Sequence, residues 1–270
     1  MLPREKITFA VNTSWLFPEL PFRDRLAAVA RAGFNSIEFG FPSHVDLRAL
    51  EAAKDDLGLK IVNFNQDVPV WDRQNRGTLS DPARSSEFRA TLDQALAIAL
   101  RLGAEKIMLP AGVEIPELGR GRQRDCILAN LRYAAPLASQ AGLLLTIEVL
   151  NPSDNPGYFL TSSQEALSLL QEAGCPQVKF QFDTYHLQML EGRLPEKIRE
   201  IGGWIGHVQF ADHPGRHEPG SGSIDFEAVL AAIEAAGYEG AIGLEYQPLK
   251  PGAAALEWVP ASMQTRKSPA

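Results

Sequence analysis

Four short stretches carry the residues whose types and spacing suggest chemistry: LTIEVL around Glu148, KFQFDTYH around Asp183, GHVQFADH around Gln209 and AIGLEYQP around Glu245. In each, apolar and polar residues alternate. Leu145, Ile147 and Val149 stand against Thr146 and Glu148, and Phe180 and Phe182 against Gln181 and Asp183; Val208 and Phe210 then flank Gln209, and Ile242 and Leu244 alternate with Gly243 and Glu245. A period of two marks a strand whose two faces differ. A parallel strand covered on both faces should be apolar throughout, so the polar set must point at something that requires it. Burying three carboxylates together is costly unless a cation or protons compensate them. A divalent cation does so at once, and the all-oxygen set of Glu148, Asp183, Gln209 and Glu245 favours Mg²⁺ or Mn²⁺ over Zn²⁺, which more often recruits His or Cys. The Gln209 amide then supplies a neutral ligand where a fourth charge would be excessive. Taken singly, each residue is equally an ordinary strand-end polar group; the argument rests on the set.

The elements that must position these residues form a repeating rhythm. Strand-like runs alternate with amphipathic segments of helical period, most of them closed by glycine: ITFAVNTSW then PFRDRLAAVARAG, SIEFGF then DLRALEAAKDDLG, KIVNFNQ then DPARSSEFRATLDQALAIALRLG. The pattern continues through EKIMLPA, LLLTIEVL, VKFQFDTYH and IGHVQFAD, each with its helix, to AIGLEYQP. Eight strands and seven clear helices predict an α/β fold, a (β/α)₈ TIM barrel in a single domain over residues 1–270, with a short C-terminal tail from about residue 250. A doubly wound sheet would want a glycine-rich phosphate turn after the first strand, where NTSWLFPEL stands instead. If the apolar set packs on outer helices, the polar set points into the barrel. Glu148, Asp183, Gln209 and Glu245 then fall near the carboxyl ends of successive strands, where barrel enzymes build their sites.

Composition narrows the partners. The chain has 270 residues, 45% of them hydrophobic, and a formal net charge of −7 without a run of like charges, so the basic footprint expected of a nucleic-acid or anionic-membrane binder is missing. Cys126 and Cys175 are too few and too far apart for a disulfide framework or thiolate metal site, which fits a reducing cytosol. No apolar run reaches signal-peptide length at the N-terminus or the roughly 18 residues of a membrane span. The expectation is a soluble, unprocessed, cytoplasmic enzyme of small molecules, with homo-oligomerisation left open.

The series IEVLNPSDNPGYFLTSSQEAL, VKFQFDTYHLQMLEG, HVQFADHPGRHEPGSGSIDF and IGLEYQP resembles the hydroxypyruvate isomerase family of the xylose-isomerase-like barrel superfamily, and FAVNTSWLFPELPFRDRLAAVARAGFNSIEFGFP resembles that family's opening. The likeness covers nearly the whole chain but has no distinctive motif between about Asp67 and Gly121. It implies that Glu148, Asp183, Gln209 and Glu245 are metal ligands, that Glu148 and Glu245 also move protons as the catalytic pair, and that His186 and Arg216 face the substrate. Related sugar epimerases carry His where Gln209 stands, and this departure points to the hydroxypyruvate isomerase branch. It leaves open the neighbouring 2-oxo-tetronate isomerases and, further off, ketose 3-epimerases.

The implied reaction suits the residues. Interconverting hydroxypyruvate and 2-hydroxy-3-oxopropanoate removes a proton α to a carbonyl, passes through an enediolate and returns a proton to the next carbon. A metal that stabilises the developing charge lets a carboxylate act as base, without a redox cofactor. Arg216 offers a planar fork for a substrate carboxylate, and His186 a ring nitrogen for a substrate oxygen. Asp212 is a candidate to orient a ligand, and His213, His217 and Glu218 to shape their loop. Asn12, Glu38, Asn63 and Asn65 are expected as satisfied core polar groups, and Trp15 and Phe41 as core or as walls that exclude water. Two other classes compete. An abasic-site endonuclease would want several zinc-binding histidines and a basic face, and a binding protein without activity would have lost one of the glutamates.

Overall fold

Short strands rich in aromatic and β-branched residues, each leading into an amphipathic helix, close on themselves in this chain. The computed structural model describes residues 7–68 and 70–260. The strands are β1 (Phe9–Asn12), β2 (Ser36–Phe39), β3 (Lys60–Asn65), β4 (Lys106–Met108), β5 (Leu144–Glu148), β6 (Val178–Asp183), β7 (Ile205–Phe210) and β8 (Ile242–Leu244). All neighbours pair in parallel, and β1 pairs with β8, so the order β1 to β8 makes a closed (β/α)₈ barrel. The helices are α1 (Phe22–Arg31), α2 (Leu47–Leu57), α3 (Ser85–Leu102), α4 (Gly119–Gln140), α5 (Ser163–Ala173), α6 (Thr184–Leu190), α7 (Leu194–Ile201) and α8 (Phe226–Ala235).

The helices follow from stripe and cap. Helix α5 buries Ala166, Leu169, Leu170 and Ala173, an i, i+3, i+4, i+7 stripe. Its Ser162 side chain accepts from the Glu165 N–H, and Gly174 closes it at a φ of 64° that L side chains avoid. The barrel's outer layer is apolar: Phe180, Phe182, Val208, Phe210, Ile242 and Leu244 are fully buried toward the helices. The alternate set, pointing inward, is polar.

Helix α6 is absent from the sequence reading, which ran the strand through TYH. The Asp183 carboxylate accepts from the N–H groups of Tyr185 and His186 and starts a helix there. Thr184 fastens it, its hydroxyl donating to the Ala211 carbonyl at 2.9 Å and accepting the Ala211 N–H at 3.0 Å. The ends of β6 and β7 are thereby tied together. Two register irregularities interrupt the ladder, between Ile37 and Glu38 in β2 and between Phe180 and Gln181 in β6. The extra residues, Val62 and Gly206, lie on the partner strands β3 and β7, where such bulges re-aim side chains.

Beyond β8 the chain turns through Gly252–Leu256, where Ala255 and Leu256 are buried, and Trp258 meets the Phe9 ring edge-on at 5.5 Å. Among the described residues no helix is long and apolar enough to cross a membrane. Cys126 and Cys175 are free thiols.

Candidate active site

At the carboxyl ends of the strands lies a cavity of about 290 Å³, just under the ~300–1,000 Å³ usual for drug-sized ligands. Glu148, the last residue of β5, and Glu245, the first after β8, both line it, with His186 and Arg216. Trp15, Phe41, Trp71, Met108 and Leu150 supply apolar wall; Ser14, His44, Asn65 and Asn155 supply the remaining polar lining. Of these, Trp15, Phe41 and Asn65 were weighed from the sequence. Trp71, His44 and Asn155 were not, because they lie outside the periodic strands and helices.

Asp183 is fully buried beside this cavity. Its Oδ1 is used by the α6 cap, while Oδ2 accepts from Arg216 Nη2 at 3.4 Å; the same Nη2 reaches Glu245 Oε2 at 3.0 Å. The arginine therefore bridges two of the four carboxyl and amide groups singled out by sequence. Gln209 lies below: its Nε2 donates to Glu38 Oε1 at 2.9 Å and its Oε1 accepts from Gln181 Nε2 at 2.8 Å. Gln181 also donates to Glu148 Oε2 at 3.1 Å. The other oxygen, Glu148 Oε1, is buried with no hydrogen-bond partner.

That orphaned oxygen is costly as it stands and is what a cation would satisfy. Ligand atoms of Glu148, Asp183 and His186 lie within 4.8 Å of one another, which brings two carboxylates and one imidazole around a single point. Charge balance agrees. Burial first, then Asp183 and Glu245, hold the Glu148 carboxyl well above its ordinary value. Burial likewise raises Glu245 and Asp183, against the pull of Arg216 on both. Packed carboxylates that resist ionising together are the environment a divalent cation relieves, and the residues present fit one.

His186 answers a different need. Its Nδ1 faces the Asn151 backbone N–H at 3.3 Å and the Asn151 Nδ2 at 2.8 Å. The backbone group can only donate, and the Asn151 amide is fixed by Asp154, whose N–H gives to its Oδ1 and whose Oδ2 takes from its Nδ2. Nδ1 is therefore an acceptor. Burial and then Arg216 keep the ring well below its ordinary pKa, so it is neutral and carries its proton on Nε2. A donor at Nε2 suits a substrate oxygen better than a cation.

Arg216 owes its place to a strained loop. It adopts φ 56°, a left-handed conformation that costs a non-glycine residue about 1–2 kcal/mol. Asp212 holds that loop, accepting from the N–H groups of His213, Gly220, Gly222 and Ile224. These bonds build the loop that carries Arg216. His217 Nδ1 meets the Gln247 carbonyl at 2.7 Å, Glu218 Oε2 accepts from the Leu249 N–H, and the Gln247 N–H reaches the Arg216 carbonyl at 2.8 Å. The guanidinium stacks 4.5 Å from the Trp15 ring centre. Burial opposes its charge, but Glu245, Asp183 and Glu148 outweigh that and raise its pKa.

Three further basic side chains escaped the sequence reading. Arg76 is buried behind the cavity wall, over Trp71 and donating to Asn155 Oδ1 at 2.5 Å. Lys106 and His207 lie in the barrel floor, Lys106 Nζ facing His207 Nδ1 at 3.5 Å. His207 shares a face with Gln209 two residues on, so the strand period could have found it; Arg76 had no such signal.

Comparison with known proteins agrees with this architecture. The family model described as "Xylose isomerase-like TIM barrel" matches residues 26–262. The chain is 38% identical to the 2-oxo-tetronate isomerase of Cupriavidus necator over 93% of this chain and 96% of that protein. It is 35% identical to the hydroxypyruvate isomerase of Escherichia coli K12, over 94% and 98% respectively. A solved Brucella melitensis structure described as AP endonuclease, family 2, superposes with a TM-score of 0.89 at 34% identity, covering 93% of this chain and 97% of that one. With a closed eight-stranded barrel, a carboxylate-rich cavity at its carboxyl end and these matches along nearly its whole length, the chain belongs to the xylose isomerase-like TIM barrel family.

Proposed function

We propose that the protein is an isomerase that interconverts hydroxypyruvate and 2-hydroxy-3-oxopropanoate by moving a proton between adjacent carbons. The observation that carries this reading is that Glu148, at the end of β5, and Glu245, just after β8, line one small cavity with His186 and Arg216. Named isomerases among the relatives support the reaction class.

Glu148 and Glu245 serve one carbon each. From hydroxypyruvate, one carboxylate takes a proton from C3, the electron pair of that C–H bond becomes the C2–C3 double bond of an enediolate, and the other glutamate returns a proton to C2. A hydroxyl proton passes from the C3 oxygen to the C2 oxygen, so the product is an isomer with no net gain or loss. A divalent cation, Mg²⁺ or Mn²⁺, held by Glu148 and Asp183 with Glu245 and Gln209, would polarise the carbonyl and stabilise the negative charge of the enediolate. His186 Nε2–H donates to a substrate oxygen. Trp15, Phe41 and Trp71 keep water from the reacting carbons. General acid–base transfer of this kind contributes about 10²–10⁴ in rate.

Arg216 fixes the substrate carboxylate. Arg216→Lys keeps the charge near Glu245 and Asp183 but loses the planar fork and the stacking on Trp15. The expected result is a KM raised by about tenfold or more, the cost of one charge-assisted hydrogen bond, with kcat and metal affinity little changed. Unchanged steady-state kinetics would remove the arginine from the substrate site.

A second reading is favoured by the 38% identity to a 2-oxo-tetronate isomerase: the same transfer on a four-carbon oxo-acid. Phosphodiester chemistry on DNA fits less well, because a formal charge of −7 opposes a phosphate backbone. The deciding experiment is a panel of hydroxypyruvate, oxo-tetronates and ketoses, assayed after EDTA treatment with Mg²⁺ or Mn²⁺ restored. Turnover of a three- or four-carbon oxo-acid in preference to ketoses is expected. Activity confined to ketoses would sink the oxo-acid reading.

A further inference from the structure

We propose that Glu38, a buried carboxylate in the barrel floor that does not line the cavity, is a positioning residue for the cation-binding groups: it aims the Gln209 amide oxygen and, through Asn12, steadies Glu245. This rests on reading Gln209 and Glu245 as metal ligands.

The geometry is that of an acceptor surrounded by donors. Glu38 Oε1 takes the Asn12 Nδ2 and Gln209 Nε2 groups, each at 2.9 Å, and Oε2 meets His207 Nε2 at 2.7 Å. Oε1, met by two amide NH2 groups, is the acceptor of both. The Gln209 N–H is therefore held toward Glu38, and its oxygen must face the other way, to where Gln181 Nε2 also contacts Glu148. An amide oxygen has two lone pairs, so the one not used by Gln181 is free for a cation. Asn12 is fixed in the same manner. Its Oδ1 accepts the Ser14 N–H at 3.0 Å, leaving Nδ2 to span Glu38 and, at 3.3 Å, Glu245 Oε1.

The space around this carboxyl is kept by a glycine. Gly243 has an ordinary negative φ, yet a Cβ there would lie 2.3 Å from Glu38 Oε2, so the glycine is required for space and not for backbone conformation. The β2–β3 register shifts at the same level, Ile37 pairing with Ile61 and Glu38 with Asn63, so that the extra residue, Val62, lies in β3. Behind Glu38, His207 and the buried Lys106 extend the chain, Lys106 Nζ facing His207 Nδ1 at 3.5 Å. Outer partners of this kind orient ligands at metal sites, and losing one typically costs about 10–100-fold in metal affinity or activity.

A purely structural network would lower stability and leave the cation alone, and this separates the two roles. Glu38→Gln replaces one acceptor oxygen with a donor, which faces either the Asn12 and Gln209 amides or His207 Nε2; in both cases a donor meets a donor and the network that fixes the Gln209 amide is disturbed. Mn²⁺ binding to metal-stripped protein without substrate, measured by titration calorimetry, should weaken by about 10–100-fold. In a Gln209→Ala background the same change should cost no more than about threefold, because its main target is gone. Wild-type Mn²⁺ affinity in folded Glu38→Gln, or fully additive losses, overturns the proposal. If Glu38→Gln does not fold, Gly243→Ala takes its place, driving a methyl against the carboxyl without altering charge; it should weaken Mn²⁺ binding similarly, and wild-type affinity there also overturns the proposal. Gln209→Ala alone is the control for the underlying reading. If it binds Mn²⁺ like the wild type, the ligand assignment fails and the positioning role with it; if it binds weakly while Glu38→Gln does not, only the positioning role fails.

Discussion

Glu148→Gln and Glu245→Gln will each lower turnover by at least about 10², the usual contribution of a general base, while the protein stays folded. Both residues line the cavity from different strands, so each can address its own carbon of a planar intermediate. Glutamine keeps the size and one ligand oxygen but removes the base. At Glu148 the environment accepts the change, since Oε2 already takes a hydrogen bond from Gln181; at Glu245 one oxygen can still accept from Arg216. An intact thermal unfolding transition would check the fold. Deuterium exchange from solvent into substrate checks the mechanism. With one glutamate left, enolisation at its own carbon can continue, so one variant is expected to wash deuterium into one of the two substrates although neither isomerises. Near wild-type isomerisation by both variants, with metal bound, would reduce the site to a metal site alone.

Stripping the metal with EDTA is expected to lower turnover by about 10³ or more, because metal stabilisation of developing charge is worth several kcal/mol and each 1.36 kcal/mol is tenfold. Mg²⁺ or Mn²⁺ should restore it. The cause lies in the packed carboxylates: burial and mutual repulsion raise Glu148, Asp183 and Glu245, and Arg216 alone offsets them only in part. Metal should also raise the thermal midpoint, since an ion at 100 times its Kd adds about 2.7 kcal/mol to the folded state. Asp183→Asn gives the matching variant. Asparagine caps helices as well as aspartate does, so α6 keeps its start, and the loss is confined to Oδ2. That variant should need more metal and regain part of its turnover when it is supplied. Full activity in protein shown by elemental analysis to be free of divalent metal would refute metal dependence.

Hydrophobic periodicity determines much of this protein. The alternation at Leu145 to Val149, Phe180 to Asp183 and Val208 to Phe210 specifies strands with one polar face, and glycine-closed amphipathic segments specify the helices between them, which together leave little but a closed parallel barrel. Those local patterns also placed Glu148, Asp183, Gln209 and Glu245 at one end, since strand phase and direction fix which way a side chain points and at which height. What periodicity cannot encode is which strand-end groups meet. That Arg216 spans Asp183 and Glu245, that His186 is turned by Asn151 into a donor, and that Trp71, Asn155 and Arg76 gather at the cavity all depend on loops folded across the barrel mouth. Helix α6 was hidden because a strand and a helix meet at one residue, and Asp183 both ends the first and caps the second. The floor was hidden for another reason. Glu38, Lys106 and His207 come from β2, β4 and β7, and only closure of the barrel brings three such charged or polar groups close enough to satisfy one another in a dry interior.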